Sequence, residues 1–261
     1  MLAKKYIEHA YKLLDEIQEI TLPNIEKAAE LIVDAVENGH TIYAWGGPHS
    51  SLPVQDIYER AGGLAILNCI ITPGLTYEVN PIKVGMYLER IEGYGSFFFD
   101  KIGAEKGDVI ILVSTSGRNP FPVEMAISAK KAGLIIIGMT SMKYSQEVES
   151  RHSSGKKMFE LCDVVLDNRA EPGEGFMEYK GIPQKVGPTS GWTGIVILQS
   201  LMVEVAQLMA DRGITPPVRF AGNMPGQEEY RKKIFELLSK NSTKFGALKS
   251  YTKDDALKIK K

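Results

Sequence analysis

Residues 109–113 read Val-Ile-Ile-Leu-Val, five apolar residues in a row, four of them β-branched. A strand with one face in water alternates polar with apolar, so a run with no polar member must be covered on both faces. A parallel sheet flanked by helices on each side meets that demand. Residues 41–45, 64–71 and 134–139 carry similar runs, and 163–166 supplies a fifth, shorter one near an edge. Between these runs the apolar residues recur at helical spacing, as in Tyr6, Ile7, Ala10, Leu13, Leu14, Ile17 and Ile20. Thr21-Leu22-Pro23 breaks that first helix and starts a second, which stops at Asn38-Gly39. Further helices are expected over 53–61, 85–102, 120–132 and 189–212, and a long loop over 168–187. Strand and helix in alternation predict right-handed crossovers and a three-layer α/β/α fold around a five-stranded parallel sheet. The expected organisation is an N-terminal helical pair (1–40), a central domain (41–215) and a C-terminal helical extension with a basic tail (216–261).

Composition narrows the function classes. The chain of 261 residues is 44% hydrophobic, enough for a large core. Its net charge is −1, which argues against an electrostatic nucleic-acid binder. The tail from 231 holds 10 Lys/Arg and 3 Asp/Glu, a local +7 that reads as a solvated end. Cys69 and Cys162 each lie in or beside an apolar run. They argue against a disulfide scaffold or a cysteine zinc site and fit a reducing, cytoplasmic setting. No signal peptide is read at the N-terminus. The uncharged stretch 186–203 opens with Gly187-Pro188-Thr189-Ser190-Gly191, so a buried core helix is expected rather than a membrane span. The four histidines (9, 40, 49 and 152) lack metal-ligand spacing, and no metal is expected.

In open parallel sheets ligands bind at the carboxyl ends of the strands, where strand order reverses. Two loops in such positions are rich in glycine and hydroxyls: Gly46-Gly47-Pro48-His49-Ser50-Ser51 and Ser114-Thr115-Ser116-Gly117-Arg118-Asn119. Each precedes a helix. Glycines allow close backbone approach, hydroxyls donate, and helix N-termini present free N–H groups to an anion. Neither loop is a Walker A or G-x-G-x-x-G sequence, so no nucleotide cofactor is expected. Turn and cap chemistry explains the first loop equally well; for the second, anion binding is the preferred reading.

The run 109–120, followed by Ala129-Lys130-Lys131-Ala132-Gly133 and Ile135-Ile136-Ile137-Gly138-Met139-Thr140, resembles the signature of the sugar isomerase (SIS) family, which binds phosphosugars. Segments 59–64, 151–156, 184–190 and 216–218 are similar to a group of SIS proteins described as phosphosugar isomerases or phosphosugar-binding proteins. The resemblance implies a flavodoxin-like strand order with strand 41–45 beside strand 109–113. The two serine loops would then face one crevice. It also implies that Ser114, Thr115, Ser116 and Gly117 hold a phosphate, and that Gly47, Ser50 and Ser51 hold the sugar or a phosphate oxygen. Arg118 and Asn119 complete the second loop, the arginine as a clamp for phosphate or an acidic substituent. Thr189 and Ser190 cap the last core helix, with Ser190 also a ligand contact.

An aldose–ketose isomerase needs a base that carries a proton between neighbouring carbons. Phosphoheptose isomerases carry a functional glutamate at about the offset of Glu59, expected two and a half turns along the helix after Ser50. That makes Glu59 the first choice of base, with His49 as an acid or ring-opening group. Glu89 and Glu92, at i and i+3 on one helix, and Glu78 are alternatives that a solvated surface explains better. Arg151, His152, Ser153, Ser154 and Lys156 form either a second anion-contacting loop or an exposed linker. One departure stands out: phosphoheptose isomerases place a catalytic histidine on the helix matching 189–212, and residues 187–203 here hold no titratable side chain. The leading expectation is therefore a phosphosugar isomerase working through an enediol, and a homodimer. A non-catalytic phosphosugar sensor or an etherase-type lyase are the alternatives.

Overall fold

A computed structural model describes residues 1–76, 78, 81, 83–244, 246–249 and 251. Five parallel strands form its centre: β1 (Ile42–Gly46), β2 (Leu67–Ile70), β3 (Val109–Val113), β4 (Ile135–Thr140) and β5 (Val164–Asp167). Their order is β2-β1-β3-β4-β5, so the direction of winding reverses between β1 and β3, where Ala44 pairs with Ile111. All five residues of β3 are buried.

The alternation of side chains across the sheet divides them between two cores. Val109, Ile111 and Val113 join one core with Ile42 and Ala44. Here α2 (Leu22–Glu37), α3 (Ser51–Asp56) and α8 (Ser190–Asp211) close the face, through Ile25, Ile32, Val54, Ile197 and Leu201. Ile110 and Leu112 join the other core with Tyr43 and Trp45. There α5 (Tyr94–Ile102) and α6 (Pro120–Ala132) supply Phe99, Phe121 and Met125. The apolar segment ending at Val203 is thus part of a core helix with one exposed stripe, on which Val203 is 69% exposed. Helix α1 (Leu2–Ile20) packs less deeply, burying Leu13 and Ile17. Helix α9 (Glu228–Lys240) lies in the C-terminal extension. The basic stretch from 252 onward lies outside the described residues.

The structure differs from expectation in three places that bear on function. The helix expected over 53–61 is α3, which ends at Asp56; the segment then turns, with Glu59 at φ 47°. Gly62-Gly63 follow at once, and glycine pairs are poor helix formers. The helix expected over 85–102 is two helices, α4 (Lys83–Leu88) and α5. They part at Gly93, whose φ of 89° is left-handed and whose N–H donates to Glu124 Oε1 at 2.5 Å. The loop expected over 168–187 contains an antiparallel hairpin, β6 (Gly175–Tyr179) and β7 (Ile182–Pro188). It is held to α1 by Tyr6, whose hydroxyl donates to the Pro188 carbonyl at 2.7 Å, and by His9 stacked on Phe176.

Candidate functional site

The second serine loop leaves the end of β3 and enters α6. Its four consecutive carbonyls, 115 to 118, are each occupied by a donor. Thr115 O accepts from Ser141 N at 2.9 Å, and Ser116 O from Ser145 Oγ at 2.8 Å. Gly117 O accepts from Met158 N at 2.9 Å, and Arg118 O from Arg151 N at 2.8 Å. With its carbonyl oxygens engaged elsewhere, the loop does not turn them toward an anion at the N-terminus of α6, where helix geometry favours negative charge. Gly117 has φ 59°, a left-handed conformation that glycine adopts without the strain of a Cβ. Ser114 is buried, and its Oγ accepts from Gly117 N at 3.3 Å.

The first serine loop leaves β1 and enters α3. Gly46 is forced by proximity: a Cβ there would lie 2.1 Å from the Ser50 carbonyl oxygen. The two loops wall a single crevice of about 240 Å³ at the carboxyl edge of β1 and β3. From the first come Gly47, Pro48, His49 and Ser50; from the second, Ser114, Thr115, Ser116 and Asn119. The facing loops expected from the strand order are therefore present.

The carboxylates of the crevice are not those the sequence favoured. Glu89 follows directly on α4 and is 6% exposed. Its backbone is fixed by Phe121 N, which donates to Glu89 O at 3.1 Å. Asn119 Nδ2 donates to Glu89 Oε2 at 2.7 Å. Burial pushes the Glu89 carboxyl up to about 7, against the smaller opposing pull of the Asn119 hydrogen bond. A second carboxylate comes from Glu174, just before β6, at φ 70°. Ser190 Oγ donates to Glu174 Oε2 at 3.2 Å, so Ser190 adjoins the crevice through this contact. Met86 and Arg90 complete the wall.

Several expected residues lie elsewhere. Glu59 is 44% exposed at its side chain and pairs with Arg219, Oε1 to Nη2 at 2.5 Å. It is absent from the crevice lining, in a turn beyond the end of α3 at Asp56, whereas the crevice lies at the other end of that helix, by Ser50. Ser51 is buried behind its loop, donating to the Pro48 carbonyl at 2.7 Å and accepting from Gln55 Nε2 at 3.1 Å. Gly117 and Arg118 flank the crevice without lining it. Glu92 is exposed, and hydrogen bonds from Ser153 N and Oγ hold its carboxyl below the usual range. Glu78 is exposed and also lies outside the lining. The 151–156 segment folds onto α6: His152 Nε2 stands 3.6 Å from Glu124 Oε1. Glu89 was named at the sequence level only as one of a pair expected on a wet helix face. It lies one residue past the end of α4, with its backbone and side chain held by Phe121 and Asn119 of the neighbouring segment. No sequence signal marks Glu174, because the hairpin it precedes has the composition of a loop.

A larger cavity, about 490 Å³, lies at the opposite edge of the sheet beside His40, Asp108 and Lys249. Its buried carboxylate is committed to the fold: Asp108 Oδ1 accepts from Thr41 N and Oδ2 from Glu105 N, both at 2.8 Å. Among the described residues no group of three or more His, Cys, Asp and Glu is placed to hold a metal.

Residues 5–141 match the family described as SIS domain. A UPF0309 protein of Halalkalibacterium halodurans is 42% identical over 230 residues, covering 88% of this chain and 95% of that one. A UPF0309 protein of Shouchella clausii is 38% identical over 235 residues, covering 88% and 96%. The fold is similar to that of a phosphoheptose isomerase from Neisseria gonorrhoeae, with TM-score 0.52 and 17% identity over 79% of this chain and all of that one. A phosphoheptose isomerase from Francisella tularensis gives TM-score 0.50 and 17% identity, covering 78% of this chain and 96% of that one.

Proposed function

This chain belongs to the SIS-domain family, among its UPF0309 proteins, and we propose that it binds a sugar phosphate in the crevice between its two serine loops and isomerises it. The observation that carries the proposal is Glu89: a buried carboxyl, raised to about 7, on the wall facing two hydroxyl-bearing loops. The ester would sit at the N-terminus of α6 against Ser114, Thr115 and Ser116. The reactive carbons would then extend toward Glu89 and His49.

A base for carbon acids works best with a pKa near the operating pH. Glu89, ionised, would take the proton from C2 of an aldose and return it to C1 through the enediol. His49, exposed at the rim, would move the hydroxyl proton between O2 and O1. Asn119 keeps Glu89 aimed by donating to its Oε2. The choice of Glu89 over Glu59 follows from position: Glu89 lines this crevice, whereas Glu59 lies outside the lining and pairs with Arg219.

The exposed apolar side chains of Ile7 and Tyr11 on α1 and Val203 on α8 support the expected homodimer, which light scattering would test. The two free cysteines support the expected reducing, cytoplasmic setting.

The deciding experiment incubates the protein with hexose, pentose, heptose and amino-sugar phosphates in D2O and follows C1 and C2 by NMR. Deuterium entering either carbon supports isomerisation, and its loss in Glu89→Gln assigns the base. Saturable binding with no exchange by any ester would replace the enzyme with a sensor.

A further inference from the structure

Seven of the chain's eight arginines fall into two groups; the eighth, Arg231 on α9, stands over the Phe220 ring, its Cζ 5.8 Å from the centroid. Arg60, Arg169, Arg212 and Arg219 each hold a carboxylate within 3.0 Å. Arg90, Arg118 and Arg151 have no ion pair among the described residues, and these three gather at one place. Arg151 N donates to Arg118 O at 2.8 Å, and Arg151 Nη1 donates to Asn119 Oδ1 at 2.9 Å. The other end of that amide holds Glu89, the residue next to Arg90 in the crevice wall. The Arg118 Nε is buried with no hydrogen-bond partner. Burial first, then the like charges of Arg118 and Arg90, press the Arg151 guanidinium below its ordinary range. Mutually repelling guanidiniums, one with an orphaned buried donor, are costly unless something negative binds among them. Glu89 answers this only in part, since burial favours its neutral form.

We infer that Arg90, Arg118 and Arg151 form a second anion subsite beside the serine loop, and that the substrate is a sugar phosphate bearing a second anionic group, a carboxylate or a second phosphate. The inference rests on the proposed binding of a sugar phosphate at that loop. The serine loop meets one ester with hydroxyls and a helix N-terminus and needs no cation to do so. A planar guanidinium fork suits either second group, since both present paired oxygens.

Isothermal titration of the full chain tests this with fructose 6-phosphate, fructose 1,6-bisphosphate and 6-phosphogluconate as probes. At least one dianionic-plus-anionic probe is expected to bind tenfold or more tighter than the monoester. Which of the two gains identifies the second group. Arg118→Gln and Arg151→Gln are expected to bring the ratio of dissociation constants toward one, with circular dichroism confirming that each variant folds. Ser116→Ala is expected to weaken all three probes by a common factor and preserve the ratio. Monoester binding with no gain from a second anion overturns this inference alone, as does a ratio unmoved by both arginine variants. Failure of all three probes to bind overturns it together with the sugar-phosphate reading beneath it.

Discussion

The Asn119 side-chain amide donates to Glu89 Oε2 at 2.7 Å, across 30 positions of sequence. One residue closes the second serine loop, and the other is the buried carboxyl of the crevice. Because α6 begins at Pro120, Asn119 stands at the N-terminus of that helix, and hydrogen bonds join loop, helix and carboxyl.

Glu89→Gln is expected to separate stability from activity. The folded chain holds the Glu89 proton up to about pH 7, whereas an unperturbed glutamate releases it near 4.5. Unfolding therefore releases a proton between these values, and the stability of the native protein falls as pH rises through that window. The full window is worth about 3 kcal/mol. Gln cannot ionise but can still accept from Asn119. The variant is expected to be the more stable protein in urea at pH 8 and to lose that advantage at pH 4. Its proton-exchange activity should fall by about 100-fold or more. Wild-type activity should rise with pH through about 7 as the carboxyl ionises.

Ser116→Ala and Ser114→Ala are expected to differ. The Ser116 carbonyl is what anchors that residue to Ser145, so removing its hydroxyl leaves the anchor in place. Its loss should weaken a sugar phosphate by roughly 1.5–3 kcal/mol with little change in melting temperature. Ser114 Oγ accepts from Gly117 N inside the fold, so its loss should lower both affinity and stability. Calorimetric titration and thermal melts on the same samples distinguish the two.

Glu59→Gln should leave sugar-phosphate binding and proton exchange as they are. The ion pair with Arg219 is partly exposed, so its loss should cost less than about 1 kcal/mol. A collapse of exchange with affinity retained would return Glu59 to the role of base and remove Glu89 from it.

Gly46→Ala should damage the site through the backbone alone. The added methyl would sit 2.1 Å from the Ser50 carbonyl oxygen and 2.7 Å from its carbon, backbone atoms that cannot swing aside as a side chain can. A cost on the order of 3 kcal/mol is expected, with weakened ligand binding, because Ser50 must move. A variant that melts and binds like the parent would show that the loop is softer than its packing indicates.

The strands were legible because their chemistry is local. A run such as 109–113 has no polar face to offer water, and the same residues that spell the strand also spell its burial. The serine loop 114–119 was legible for a related reason: hydroxyls and glycine directly after a buried strand place donors at its carboxyl end. The hairpin 175–188 was not, because its exposed, glycine-bounded strands are set by pairing with each other and by α1.

The buried carboxyl of the crevice is the residue least legible in the sequence. Glu59 and Glu89 are the same amino acid, each close to the end of a short helix, and no spacing rule separates them. Sequence by itself determined the layers, the sheet and the hydroxyl-rich loop at the carboxyl end of β3, since hydrophobic periodicity and turn chemistry act over a few residues. Tertiary structure alone decided which carboxyl loses its water. Desolvation depends on what α6 and its neighbours lay over that carboxyl from distant parts of the chain, and that environment lifts Glu89 and leaves Glu59 in solvent beside Arg219.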